Sequence, residues 1–187
     1  LFDLIGAEVV GADVLDLFAG LGTVGVEALS RGARSAVFVE REPELCELLR
    51  VNLGRLGCLE RSEVLCRDVV DALRGLEGHD RAFAIAFVDP PYGAGQATET
   101  ISTLAAGGLL TPGAIVVAEH GRREQPPTES RLVHLWRREL GYTVLSGYRY
   151  DLPPRSQRSA EHPTANARSS APNGGSGGAD WKLDVGR

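Results

Sequence analysis

At 187 residues, 43% of them hydrophobic and with a net charge of −5, the chain suits one α/β core and is too short for two ordinary domains. No run of about 18 apolar residues is present to cross a bilayer as a helix, and no charged segment with a short apolar core and a small-residue cleavage site marks secretion. Fifteen arginines against twenty-one acids over residues 1–150 argue against a broad electrostatic grip on nucleic acid, so such a partner would have to meet a local basic patch or a segment beyond this sequence.

The chain opens abruptly at Leu1-Phe2-Asp3-Leu4-Ile5-Gly6 and contains no Met, so a further segment is expected upstream. Residues Asp13 to Phe18 then read as a first strand and Gly22 to Arg31 as the helix after it. Ser35 to Glu40 is a second strand. Pro43, suited to a first helical turn, opens a helix to about Leu56, with Leu45, Leu48, Leu49, Leu53 and Leu56 near helical spacing. A short strand at Glu63 to Cys66 precedes a helix around Val69 to Leu76, and Ala84 to Val88 is the fourth strand. A helix from about Thr98 ends at Gly107-Gly108, and Ala114 to Glu119 is strand five. Arg131 to Glu139 and Tyr142 to Tyr150 are joined tightly at Gly141, which leaves room only for an antiparallel hairpin at a sheet edge.

Short apolar strands alternating with helices predict a mostly parallel sheet covered on both faces. From Leu152 the composition turns to Pro, Ser, Arg, Ala, Asn and Gly, which cannot bury enough apolar surface to offset its ordering entropy. A domain over 1–151 and a disordered low-complexity tail over 152–187 are therefore expected. Cys46, Cys58 and Cys66 lack paired spacing and read as reduced thiols of a cytoplasmic protein, with no metal site.

Two clusters carry chemistry. Gly20, Gly22 and Gly25 after the first strand satisfy G-x-G-x-x-G, a weak signal by itself that also serves dinucleotide sites. Asp16 at the same opening would repel a diphosphate and attract the ammonium of S-adenosylmethionine. Glu40, ending strand two, is placed to accept both ribose hydroxyls, and Asp68, after strand three, to accept an adenine amine; Phe18 packs under the cofactor in one reading and in the core in an equal one. Acids at three successive strand ends face the crevice where open α/β sheets bind ligands. The plainer reading is that glycines end strands and acids cap the next helix.

The second cluster is Asp89-Pro90-Pro91-Tyr92, directly after an apolar strand. Asp89 and the Pro90 carbonyl are both acceptors for the hydrogens of an exocyclic amine, and Tyr92 offers a face on which a base can stack. A sulfonium donor is already activated, so alignment and local electrostatics suffice. His120 lines the same crevice in one reading and is a solvated strand-end residue in another.

Taken together, Asp16 to Gly32, Val37 to Glu40, Asp89 to Tyr92, Val116 to His120 and the ending Gly141 to Arg149 resemble the RsmD family of class I methyltransferases. The resemblance covers roughly residues 1–150. It implies a Rossmann-like three-layer sandwich, with a seven-stranded, mostly parallel sheet whose last strand is antiparallel. It also implies methyl transfer from S-adenosylmethionine to the N2 amine of a guanine in small-subunit 16S ribosomal RNA. By the same resemblance Asp16, Gly20, Glu40 and Asp68, with their neighbours Phe18, Ala19, Gly22, Arg41 and Val69, are cofactor residues; Asp89 serves both sites, and Pro90 and Tyr92 meet the base. The expected partner is small-subunit ribosomal RNA or the assembling small subunit, met by a monomer. Rival readings are an adenine-N6 or cytosine-N4 methyltransferase on DNA or other RNA, an NAD-dependent oxidoreductase, and a remnant that binds without turnover.

Overall fold

Four apolar runs form the buried parallel centre of one sheet, because strands buried on both faces leave no position for a polar residue except near their ends. The computed structural model describes residues 1–77, 81–91, 96–123 and 129–151. Its strands are β1 (Asp13–Leu17), β2 (Ser35–Glu40), β3 (Ser62–Cys66), β4 (Phe83–Val88), β5 (Leu110–Gly121), β6 (Leu132–Leu140) and β7 (Thr143–Tyr150). They lie in the order β3-β2-β1-β4-β5-β7-β6. Neighbours from β3 to β5 are parallel, and β7 runs antiparallel to both β5 and β6. This is the predicted seven-stranded sheet with its last strand reversed. The chain order turns back between β1 and β4, the switch point at which such sheets open a crevice.

Helices cover both faces. Leu49 and Leu53 of α3 (Pro43–Arg55), Ala28 and Leu29 of α2 (Thr23–Ser30) and Ile5 of α1 (Phe2–Ile5) share one core cluster with Val14, Phe38, Ile85, Phe87 and Val117. On the other face Leu73 and Leu76 of α4 (Val69–Leu76) and Ile101 and Leu104 of α5 (Gln96–Ala106) pack on Leu15, Leu17, Val39, Val88 and Val116. Alternate residues of each strand thus serve opposite layers. Each such fully buried leucine stabilises the fold by roughly 1.5–3 kcal/mol relative to exposure.

Several expectations are corrected. Leu48 and Leu56 face solvent, and Cys46 takes the core position of α3. Cys46 and Cys66 are joined as a disulfide with their Cα atoms 5.9 Å apart, leaving Cys58 as the free, buried thiol. Their separation of 20 residues hid the pairing, which arises because α3 folds back beside the end of β3. Strand β5 begins four residues early. It carries Pro112-Gly113 where Gly113 adopts φ 81° and the register with β4 shifts, a bulge that lets the strand continue. Residues 152–187, where the sequence predicts a disordered tail, lie outside the described residues.

Candidate active site

At the C-terminal ends of β1, β2 and β4 the chain stops being apolar, and carboxylates appear at the crevice. Asp16 is the last-but-one residue of β1 and shares a face with Val14, so it points under the first turns of α2. It is only 4% exposed, and its Oδ2 accepts the Gly25 amide at 2.9 Å. Desolvation pushes its pKa up to about 7; the Gly25 hydrogen bond opposes this, and the charge of Asp89 adds to it. Gly25 has no room for a side chain there, because a Cβ would stand 2.3 Å from Phe38 Cε1 and 3.0 Å from Asp16 Oδ2.

Glu40 ends β2 at 8% exposure and is gripped by main chain. Its Oε2 accepts the Gly20 amide at 2.8 Å, and its Oε1 accepts the amides of Arg41 at 2.8 Å and Glu42 at 2.9 Å. An ionised carboxylate has about four acceptor directions, so the backbone orients the group and leaves one direction on Oε2 for a ligand. The glycine turn is closed by further amides: Ala19 to the Val39 carbonyl at 2.9 Å and Gly22 to the Ala19 carbonyl at 2.7 Å. Phe18 begins this turn with φ 65°, a left-handed conformation unusual for a phenylalanine, of the kind that clusters at ligand sites. Asp68 is the N-cap of α4, its Oδ1 accepting the Val70 amide at 2.9 Å.

Two cavities open along these strand ends. The first, about 440 Å³, is lined by Glu40, Arg41, Asp68 and Val69 at one end and by Asp89 and Pro90 at the other. The second, about 230 Å³, is lined by Asp16, Ala19, Gly20, Thr23 and Leu145 among others. Phe18, Asp89 and Glu119 line both and form the wall between them. Asp89 is exposed at this rim, yet the surrounding walls raise its pKa to about 6, with the charge of Glu119 as the second cause.

The structure therefore brings nine of the predicted site residues to one crevice: Asp16, Phe18, Ala19, Gly20, Glu40, Arg41, Asp68, Val69 and Asp89, with Pro90 beside them. Gly22 lines neither cavity. It is the left-handed N-cap of α2, pressed against Leu49 and Phe38. Tyr92 lies outside the described residues. His120 is buried, with its Nε2 2.9 Å from Ser146 Oγ, and lines neither cavity, so the crevice reading does not hold for it. Thr23 is the first residue of α2 and also lines the second cavity, whereas Glu27 pairs with Arg31 on the exposed face. Glu119 and Leu45 were missed. For Glu119 the available signal was its position, one residue past the apolar run of β5, the same place Asp89 holds after β4.

A seven-stranded sheet with only β7 reversed, a glycine turn between β1 and α2, and acids at successive strand ends define a class I methyltransferase. S-adenosylmethionine is the methyl donor of that class. Within it the chain belongs to the RsmD family, and residues 1–149 match the family model described as "Conserved hypothetical protein 95". It is 32% identical over 150 residues to "Putative rRNA methyltransferase YlbH" of Bacillus subtilis, covering 80% of this chain and 82% of that protein. It is 34% identical over 128 residues to "Ribosomal RNA small subunit methyltransferase D" of Escherichia coli K12, covering 68% of this chain but only 63% of that relative's length. Among solved structures, "Putative methyltransferase yhhF from Escherichia coli" superposes with a TM-score of 0.74 at 28% identity, over 81% of this chain and 82% of that one.

The residues present fit the donor. Glu40, with one acceptor direction left, and Asp68 both line the first cavity, acceptors of the kind a ribose hydroxyl and an adenine amine require. The second cavity is lined by Asp16 and Gly20, an acid and a turn of the kind an amino-acid tail requires. No group of acids, histidines and cysteines suited to a metal occurs among the described residues. No described helix is long and apolar enough to cross a membrane.

Proposed function

We propose that residues 1–151 form a catalytic domain that transfers a methyl group from S-adenosylmethionine to the exocyclic N2 of a guanine in small-subunit 16S ribosomal RNA. The partner is that RNA, or the assembling small subunit that contains it, met in the cytoplasm by a monomer. The observation that carries this reading is the position of Asp89, on the wall common to the two cavities and one residue before Pro90. The names of the relatives, both ribosomal RNA methyltransferases, supply the substrate class.

In this mechanism Glu40 accepts from the ribose, while the side chain of Asp68 and the main chain of Val69 meet the adenine. Asp16 and the amide-rich turn at Gly20 hold the amino-acid tail. When bound, the cofactor supplies an electrophilic methyl group on a sulfonium. An exocyclic amine of a purine is a poor nucleophile, because its lone pair is delocalised into the ring. Asp89 and the Pro90 carbonyl accept the two amine hydrogens and draw the nitrogen towards tetrahedral geometry, which frees the lone pair along the cleft axis. Tyr92 stacks on the extruded ring. The proton lost by the nitrogen passes to the Asp89 carboxylate and then to water. A carboxyl raised towards pH 6 takes up that proton more readily than an ordinary aspartate and still gives it up at neutral pH.

The test is transfer of tritiated methyl to small subunits prepared from cells lacking the modification, comparing the full chain with Asp89→Ala. Counts in a single guanine of the RNA, falling at least about 100-fold in the variant, support the reading. Equal counts from the two proteins remove Asp89 from the chemistry.

A further inference from the structure

Asp89 has a second carboxylate at its side. Strands β4 and β5 are parallel with Val88 opposite Ala118 as their last pair, and Asp89 and Glu119 are the residues that follow these two along the chain. Phe87 and Val117, two residues earlier, both pack into the α2-side cluster, and all four residues line the second cavity together. Glu119 is partly buried and lines both cavities. Its charge adds to the burial that raises the Asp89 pKa.

Three other acids of the crevice are oriented by main-chain amides. Glu40 is held by three main-chain amides, Asp16 by Gly25, and Asp68 by its helix. None of the cofactor roles assigned above needs Glu119. Two carboxylates side by side form a row of acceptors, and the bases differ in what they offer to such a row. Guanine presents N1–H and the N2 amine as adjacent donors. Adenine presents its amine next to the N1 lone pair, and cytosine presents its amine next to the N3 lone pair. A second carboxylate is therefore attracted by guanine and repelled by the other two amine-bearing bases.

We infer that Glu119 is a specificity-determining residue of the target-base site, accepting the N1–H of the guanine whose N2 amine is held by Asp89. This inference rests on the function proposed above. It explains why a site with the Asp-Pro-Pro-Tyr sequence would act on guanine in place of adenine or cytosine: the discriminating group lies on the neighbouring strand, outside that sequence.

The test begins by mapping the guanine that the wild-type chain methylates, by mass spectrometry of the RNA. If no guanine is methylated, or another base is, the functional reading itself falls before any variant is made. Ligated 16S transcripts then carry guanine or 2-aminopurine at the mapped position. The analogue keeps the 2-amino group but has a lone pair in place of N1–H. The wild type is expected to prefer guanine by at least about 100-fold in kcat/KM, since a buried acceptor facing a lone pair is penalised heavily. Glu119→Gln, whose carboxamide can donate to that lone pair, is expected to shrink the preference to within about tenfold or reverse it. Glu119→Asp keeps the charge and is expected to keep the preference at a lower rate. Binding of S-adenosylhomocysteine, measured by calorimetry, should stay within about twofold in both variants.

Three results overturn the inference. One is a wild type that methylates both bases equally, which needs no variant. Another is Glu119→Gln lowering both rates by the same factor, the mark of a structural role. The third is an unchanged base preference with weakened cofactor binding, which would assign Glu119 to the amino-acid tail.

Discussion

The Gly25 amide donates to Asp16 Oδ2 at 2.9 Å, from a glycine that cannot carry a side chain to an aspartate that has almost no water. That single bond offsets only part of the desolvation, and the Asp16 pKa stays raised to about 7. An acid whose native pKa lies above its unfolded value binds more protons folded than unfolded between the two values. Folding stability therefore falls as pH rises from about 4 to about 7. Asp89 acts in the same direction, and Asp13, whose pKa Arg34 lowers, titrates below that window. The unliganded chain should melt higher at pH 5 than at pH 8. Asp16→Asn keeps an acceptor for Gly25 and removes the buried charge, so it should stabilise the chain at pH 8 by roughly 1–3 kcal/mol and flatten the profile. It should also weaken cofactor binding about tenfold or more by removing the partner of the ammonium. Thermal melts at the two pH values check the first part; a variant less stable than wild type at pH 8 would refute the account of Asp16 as a strained buried acid.

Glu40 makes a sharper prediction about the ligand. Three amides converge on its carboxylate, so Glu40→Gln must turn an NH2 group towards at least one of them. The side chain either swings out of the cleft or leaves an amide unpaired, at a cost of about 1–3 kcal/mol. Binding of S-adenosylhomocysteine should weaken about 10- to 100-fold, read by calorimetry. Wild-type heat on NADH with none on S-adenosylhomocysteine would overturn the cofactor assignment altogether.

Much of this arrangement was legible because it is local. The positions of Asp16, Glu40 and Asp68 follow from strand ends that a reader can locate by where apolar runs stop. Non-local features were not. The pairing of Cys46 with Cys66 depends on how α3 leans on β3, and the place of Glu119 depends on β5 lying next to β4. In α3, helical spacing favoured Leu48 and Leu56 over Cys46, yet the helix is rolled so that Cys46, Leu49 and Leu53 face the sheet. The spacing alone does not reveal which of two overlapping stripes is turned inward. The short α1 went unrecognised because four residues carry almost no periodicity; its Phe2 lies against Phe87 in an edge-to-face contact, with ring centroids 6.0 Å apart.

The glycine turn makes a prediction about packing that does not involve a ligand. A Cβ at position 25 would stand 2.3 Å and 2.8 Å from two atoms of the Phe38 ring, which is fully buried between β2 and α2. Gly25→Ala should therefore destabilise the fold by about 1–3 kcal/mol, outweighing the gain in helix propensity. Pairing it with Phe38→Leu should recover part of the loss, and the double variant should be more stable than the sum of the single effects implies. Denaturant melts of the four proteins check this. Strict additivity would mean that the ring is not what the new methyl meets.

Asp89 and Glu119 connect the site to pH. Asp89 must be ionised to accept the amine hydrogens, so methyl transfer should be present above its pKa and lost as pH falls through it. Burial against the cavity walls raises that value to about 6, and repulsion from Glu119 raises it further than burial alone would. Asp16 lies close enough to interact with Asp89 as well, but it is largely protonated below about pH 7 and so repels little where Asp89 titrates. Because Asp89 stands at the rim with water on one side, the midpoint in kcat/KM should fall between the ordinary aspartate value and about 6. Removing the neighbouring charge in Glu119→Gln should move that midpoint down, whatever the variant does to base preference. A rate profile from pH 4.5 to 8 on the two proteins measures the displacement. An unchanged midpoint would mean that the two carboxylates do not interact across the strand pair, and a midpoint that rose would contradict the sign of their interaction.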